Sequence, residues 1–159
     1  MAKAIKTNVL RHLDALKIPY ETREYTVDDD NFDGKLVAEK VDLPAEMIYK
    51  TLVLVGDTLP HLVCVIPVEL ELDLKAVARA AGCKSVHMLP QKDLLPLTGY
   101  LRGGCSPIGM KKHFPTFIDE TAILYDEIGV SAGQRGAQVL LNPDALCECV
   151  GAEFCDLTV

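Results

Sequence analysis

Residue types able to do chemistry gather at three places in this chain. The largest is residues 99–112, G-Y-L-R-G-G-C-S-P-I-G-M-K-K, where Gly99, Gly103, Gly104, Gly109 and Pro107 fall within eleven residues. Each glycine adds backbone freedom and proline removes a donor, so neither helix nor regular strand is expected there. The stretch reads as a shaped loop whose backbone N–H groups face a ligand, or as a structural turn rich in glycine. Arg102, Lys111 and Lys112 make it basic, and no Asp or Glu occurs in residues 99–118. Such a loop suits a phosphate, a carboxylate or a developing oxyanion.

The second place is Lys50, in Y-K-T-L-V-L-V (residues 49–55). Strand alternation puts it on one face with Leu52 and Leu54, so its stem starts along apolar surface. A lysine there either marks an anion site or a base of lowered pKa, or snorkels from a strand end. The third is Ser131-Ala132-Gly133-Gln134-Arg135-Gly136, where a strand runs into a two-glycine turn. Ser131 can donate to a bound carbonyl or hydroxyl, and can equally cap the turn. Cys105 lies in the glycine loop as a possible nucleophile, but His12, His61, His87 and His113 show no spacing that names a partner base. Read residue by residue, Lys50, the loop and the Ser131 turn describe an anion-binding or acyl-transfer pocket.

The elements that must position these residues are short. Ile5, Val9, Leu13 and Leu16 recur at helical spacing, with the helix ended by Pro19. Residues 20–27 alternate as a strand, the acids of residues 28–33 form a solvated turn around Phe32, and a short helix covers 35–41. Strand 49–55 turns at Gly56-Asp57 into a hairpin partner at 61–67. Asp73 can cap a helix carrying Leu74, Val77, Ala78 and Ala81, which stops at Gly82. A strand at 84–88 and a helical turn at 91–95 precede the loop. Strands are expected near 116–119, 122–125, 128–131 and 138–141. Asn142-Pro143 opens a helix that Gly151 ends, with Leu146, Cys149 and Val150 inward. A weaker element closes the chain at 154–159. Many short strands with scattered helices point to an α+β fold with a mixed, strongly curved or barrel-like sheet.

At 159 residues one domain over 1–159 is expected, large enough for a core. No apolar run approaches the roughly 20 residues that span a bilayer, and the start lacks a signal-peptide apolar region. A cytoplasmic protein without a membrane role is expected. The six cysteines include no C-x-x-C pair and several sit in apolar runs, which favours reduced, hydrophobic thiols over disulfides or a metal. A net charge of −7 argues against broad nucleic-acid binding, and DNA is not an expected partner.

Together the motifs identify a relative. The chain resembles the YbaK family of aminoacyl-tRNA deacylases, kin to the editing domain of bacterial prolyl-tRNA synthetases. The resemblance covers nearly the whole chain. It is carried by Asn31-Phe32, Tyr49-Lys50-Thr51-Leu52, Leu72-Asp73-Leu74-Lys75, Gly99-Tyr100-Leu101 with Gly103-Gly104 and Ser106-Pro107, Gly109, and Lys111-Lys112. It continues through Pro115-Thr116, Ile118-Asp119, Val130-Ser131, Gly133 and Arg135-Gly136.

The resemblance implies an α+β domain built on a mixed six-stranded sheet closed toward a barrel, with surrounding helices. It implies an enzyme, a hydrolase that clears mischarged Cys-tRNA(Pro) with some action on Cys-tRNA(Cys). Lys50, Gly103 and Ser131 match its catalytic positions. Tyr25 and Phe32 match its pocket aromatics, and Thr51, Gly99, Gly104, Ser106, Gly133 and Arg135 complete the expected substrate-binding set. The family's site needs no metal, cofactor or enzyme nucleophile, since the substrate's own thiol attacks its ester carbonyl. The implied partners are the acceptor end of an aminoacyl-tRNA and prolyl-tRNA synthetase. Two positions depart from the pattern: Gln138 stands where relatives often carry Asp, and Cys105 where an aliphatic residue is common. Deacylation of Ala-tRNA(Pro) or another small aminoacyl-tRNA is the nearest alternative. A non-catalytic module that binds the tRNA end or a synthetase is the alternative of another class.

Overall fold

The structure, a computed structural model, describes residues 7–26 and 34–159. Ile5, Phe32 and the acid run at 28–33 lie outside the described residues.

Helix α1 (Asn8–Ala15) is capped by Thr7, whose hydroxyl accepts from the Leu10 N–H at 3.3 Å, and it buries Val9, Leu10 and Leu13. It ends at a left-handed turn on Lys17 (φ 58), closed by the Ile18 N–H on the Leu13 carbonyl at 3.0 Å. The stop therefore precedes Pro19. Leu16, expected inward, sits past the last helical residue and is 53% exposed.

Among the described residues eight strands form two sheets. In the first, β1 (Glu21–Glu24) pairs antiparallel with β7 (Ala137–Leu141), which pairs antiparallel with β6 (Ile128–Ser131). The second has the order β4 (Val86–Met88), β2 (Tyr49–Gly56), β3 (Leu62–Pro67), β5 (Thr116–Asp119), β8 (Glu153–Cys155). Its β4–β2–β3 portion is antiparallel and its β3–β5–β8 portion parallel. The expectation of one six-stranded sheet closing toward a barrel is thus corrected: the fold is mixed α+β, but neither sheet closes. One parallel bridge, Ile48 with Gly129, joins them. Gly129 permits this approach, because a Cβ there would lie 2.8 Å from Ile48 Cδ1.

The main core fills the space between the sheets and α1, with Val9, Leu13, Val53, Val65, Ile118 and Leu141 among its members. A second core lies on the other face of the larger sheet, where Val77 and Ala78 of α3 (Leu74–Ala81) meet Leu54, Leu62, Cys64 and Ile66. The two cores follow from alternation along β2 and β3, which sends Val53 and Leu54 to opposite sides. Asp73 caps α3 by accepting from the Lys75 and Ala76 N–H groups at 3.1 and 3.2 Å, and Gly82 ends it at φ 73. Leu74 is the first helical residue and is 41% exposed. Strand β4 is shorter than the pattern 84–88 because Asp57 Oδ1 takes the Lys84 and Ser85 N–H groups. Helix α2 (Gly34–Val41) packs Ala38 and Val41 on Ile48. Helix α4 (Leu94–Thr98) leads into the glycine loop, and α5 (Pro143–Val150) is capped by Asn142 and ended by Gly151. Among the described residues no helix is long and apolar enough to cross a membrane.

The strand expected at 122–125 is a 3-10 turn over Glu120–Leu124. Asp119 imposes it. The carboxylate is 1% exposed, and its Oδ2 accepts from the Thr121 N–H at 3.3 Å and the Thr121 hydroxyl at 2.6 Å. Its Oδ1 accepts from the Leu157 N–H at 3.0 Å, tying the chain's last residues to β5. Only Ala122 of the apolar run is then buried, while Ile123 and Leu124 are 58% and 76% exposed.

Removing the Asp119 side chain leaves buried donors on two separate segments unpaired, each costing about 1–3 kcal/mol. Asp119→Ala is expected to lose about 2–4 kcal/mol in urea unfolding, with Asp119→Asn losing less. A variant within half that loss would show that the C-terminal segment is held by packing alone.

Candidate active site

A cavity of about 420 Å³ opens where the two sheets meet. Lys50 and Thr51 reach it from β2, Arg102, Gly103 and Cys105 from the glycine loop, and Ser131 and Gln138 from β6 and β7. Tyr25, just past β1, Gln91, in the 3-10 turn that precedes α4, and Leu94, the first residue of α4, add to the polar and apolar walls.

Lys50 is partly buried and pairs in register with Ile66. No ion pair to it occurs among the described residues, so its charge is uncompensated by protein at the cavity wall. Beside it, Thr51 Oγ1 is buried without a hydrogen-bond partner among the described residues. Gln138 is 6% exposed and its Oε1 is likewise unpartnered. Native interiors satisfy nearly all such atoms, and each orphan costs about 1–3 kcal/mol. Both residues belong to the cavity lining, so two orphans sit within the wall of one cavity, where a small shift of either side chain would offer a polar ligand a partner.

Ser131 and Gln138 are cross-strand partners. Ser131 Oγ accepts from the Gly133 N–H at 3.1 Å, so the turn-capping role is realised. The hydroxyl hydrogen has no acceptor among the described residues and remains available to a ligand.

The glycine loop is held rather than loose. Gly99 ends α4 in a left-handed turn (φ 88) and Gly103 adopts φ 86. Arg135 Nε donates to the Arg102 carbonyl at 2.8 Å, clamping the loop to the Ser131 turn. Gly104 is packed on that turn so closely that a Cβ would lie 3.0 Å from Arg135 N. Ser106 is fully buried and accepts from the Ile108 N–H at 3.3 Å, while the Tyr100 hydroxyl donates to the Ile108 carbonyl. Gly133 (φ 96) gives way to Val9, whose Cγ2 would stand 2.9 Å from a Cβ. Among the described residues no acceptor meets the Gly103 N–H.

Of the residues singled out in the sequence, Lys50, Gly103, Ser131, Tyr25 and Thr51 line the cavity. Gly99, Gly104, Ser106, Gly133 and Arg135 do not; they shape and anchor the loop and turn that bring Gly103 and Ser131 to it. Phe32 lies outside the described residues. Met88, Leu89, Gln91 and Leu94 were not foreseen, because only tertiary placement of β4 and α4 brings them to the wall. Gln138 was visible only as a departure from its relatives.

No nucleophile and base pair appears among the described lining residues, which include no histidine. Among the described residues no group of three or more His, Cys, Asp or Glu is placed to hold a metal ion. The arrangement can anchor an anion at Lys50, donate to an oxyanion from Gly103 N–H and receive polar groups at Thr51 and Gln138. It can position and polarise a substrate that already carries a good leaving group.

A family model described as the aminoacyl-tRNA editing domain matches residues 33–149. An Enterococcus faecalis protein, provisionally named Cys-tRNA(Pro)/Cys-tRNA(Cys) deacylase EbsC, is 46% identical over 153 residues, covering 96% of this chain and 93% of that one. Among solved structures, a provisionally assigned trans-editing enzyme for prolyl tRNA synthetase superposes with TM-score 0.81 at 23% identity, covering 98% and 99% of the two chains. Hypothetical protein APE2540 superposes with TM-score 0.87 at 20% identity, covering 96% and 100%. Those two likenesses establish the shared fold.

Cys105 bears on what the cavity can do by itself. Burial pushes its thiol up to about 12, an effect a hydrogen bond with Thr98 only partly offsets. The same cause raises Cys64 to about 12. A thiol with that value is neutral below it, so at pH 8 its thiolate fraction is about one in ten thousand. Native protein treated with iodoacetamide at pH 8 is therefore expected to keep Cys64 and Cys105 unmodified while denatured protein alkylates fully. Rapid labelling of native Cys105, read by peptide mass spectrometry, would show an activated thiol.

Proposed function

The chain belongs to the aminoacyl-tRNA editing domain family, and on that premise we propose that it is a trans-editing deacylase. It hydrolyses the aminoacyl ester of mischarged Cys-tRNA(Pro), and of Cys-tRNA(Cys), releasing free tRNA. The identity to the E. faecalis protein over almost the full length of both chains supports this substrate class. The observation that carries the reading is a Gly103 N–H without a partner among the described residues, on a cavity whose described lining holds no nucleophile and base pair.

An aminoacyl ester is already activated, so a protein that orients it and stabilises charge on its carbonyl oxygen has most of what catalysis requires. In this reading the Gly103 N–H donates to that oxygen, and one well-aimed donor is worth about 3–4 kcal/mol in acyl transfer. With the buried thiol of Cys105 unsuited to attack, the nucleophile comes from the substrate. Its cysteine thiol forms a C–S bond to its own carbonyl as the ester C–O bond breaks. The thiol proton passes to the departing 3′-oxygen, and water then opens the cyclic thioester. Holding thiol and carbonyl together supplies a proximity term. Ser131 can donate to the carbonyl or to a ribose hydroxyl, and Lys50 balances the anionic terminal nucleotide. Tyr25 supplies an aromatic wall.

Positive charge that could meet the acceptor end is local: Lys50, Arg102, Lys111, Lys112 and Arg135 on a chain of net charge −7. A small footprint and weak intrinsic tRNA affinity follow, with prolyl-tRNA synthetase as the partner that delivers the substrate.

The defining assay compares Cys-tRNA(Pro), Ala-tRNA(Pro) and Ser-tRNA(Pro) with purified protein; clearance of the cysteinyl ester first is expected. Preference for the alanyl ester would reassign the substrate, and no turnover with retained tRNA binding would make the chain a binding module. Lys50→Ala removes one charge-assisted contact of about 1.5–3 kcal/mol, which is about a 10- to 100-fold loss in kcat/KM, with thermal stability unchanged. Cys105→Ala is expected to stay within about 2-fold of the parent. Full activity in Lys50→Ala, or a folded but inactive Cys105→Ala, would contradict this assignment of roles.

A further inference from the structure

An aminoacyl ester brings a second titratable group into this cavity, its α-amine, and among the described residues the lining offers no countercharge for it. Among the described lining residues there is no Asp or Glu. Among the described residues, the charged and titratable groups that line the space are Lys50 from β2, Arg102 and Cys105 from the glycine loop, Tyr49 from β2 and Tyr25 beyond β1. Lys50 is positive and has no ion pair among the described residues. Burial holds Tyr49 up to about 12 and Cys105 up to about 12, so neither becomes an anion near neutral pH. An ammonium entering here would be desolvated beside a like charge, the combination that most disfavours the protonated form of an amine.

The two orphaned atoms supply hydrogen bonds without charge. Gln138 Oε1 can accept an amine N–H, and the Thr51 hydroxyl can donate to the nitrogen lone pair that only an uncharged amine possesses. Were the Gln138 amide turned over, its NH₂ would donate to the same lone pair. Charge, not hydrogen-bond count, therefore selects the protonation state.

We infer that this site takes its substrate with the α-amine uncharged, Gln138 and Thr51 being the groups that receive it. This rests on the deacylase reading and adds to it the protonation state of the substrate and a specificity role for Gln138. Below the amine's pKa, apparent affinity then tracks the uncharged fraction. For an α-amine with a pKa of about 8, that fraction rises about 50-fold between pH 6 and pH 8 and levels off above.

The test uses a stable probe, 3′-deoxy-3′-(L-serylamino)adenosine, which has neither a thiol nor an ester to react, together with its counterpart lacking the α-amine. Both are titrated calorimetrically into the full chain at pH 6, 7, 8 and 9. The expected result is tightening of about 50-fold from pH 6 to pH 8 for the amine probe and a flat profile for the counterpart. Gln138→Glu supplies a carboxylate, so its profile is expected to flatten or reverse, with tighter binding than the parent at pH 6. A parent profile that is flat, or tightest at pH 6, overturns the inference, as does absence of binding at every pH. Clearance of Cys-tRNA(Pro) at pH 7.5 separates the two levels: turnover with a flat profile removes this inference alone, and no turnover removes the deacylase reading as well.

Discussion

Ile48 can touch Gly129 because Gly129 has no side chain, and that contact joins two sheets that otherwise go separate ways. From this bridge, β2 continues along one wall of the gap with Lys50 and Thr51, and β6 continues along the other with Ser131 opposite Gln138 on β7. A barrel closed by a full ladder would have consumed this space in backbone hydrogen bonds. One bridge holds the sheets together and leaves a cavity between them. The main core beneath, from Val53 and Val65 to Val139 and Leu141, keeps both walls in place.

The residues around that cavity divide by what they do for it. Arg135, Gly104, Gly133 and Ser106 fasten the glycine loop to the Ser131 turn and to α1 without reaching the space themselves. Their contacts hold the loop in place, and burial keeps Cys105 in the cavity wall a neutral thiol. Thr51 and Gln138 keep polar atoms unpaired at a cost in stability that a better-satisfied core would avoid. Function is the simplest account of that cost.

Legibility from sequence followed the range of the signal. The hairpin of β2 and β3, the cap of α3 by Asp73 with Gly82 after it, and the cap of α5 by Asn142 with Gly151 after it all rest on neighbours a few residues apart, and all were readable. The run Ala122 to Tyr125 looked like a strand because composition does not reveal that Asp119, buried and bonded to Leu157, winds it into a 3-10 turn. Leu16 and Leu74 fit a helical period but stand at helix ends, where the period stops predicting burial. The split into two sheets, and the arrival of Gln91 and Leu94 at the cavity, depend on contacts far apart in the chain. Family likeness named Lys50, Gly103 and Ser131, whereas the isolation of Gln138 Oε1 emerged only once its surroundings were in view.

The central claim is that the orphaned atoms at the seam are there for a ligand. A crystal structure of the protein with 3′-deoxy-3′-(L-serylamino)adenosine examines it directly. The account predicts that the aminoacyl group lies in the cavity, with Gln138 and Thr51 within hydrogen-bonding distance of it and its carbonyl oxygen on the Gly103 N–H. A probe bound elsewhere, or bound with both side chains still unpartnered, would contradict it.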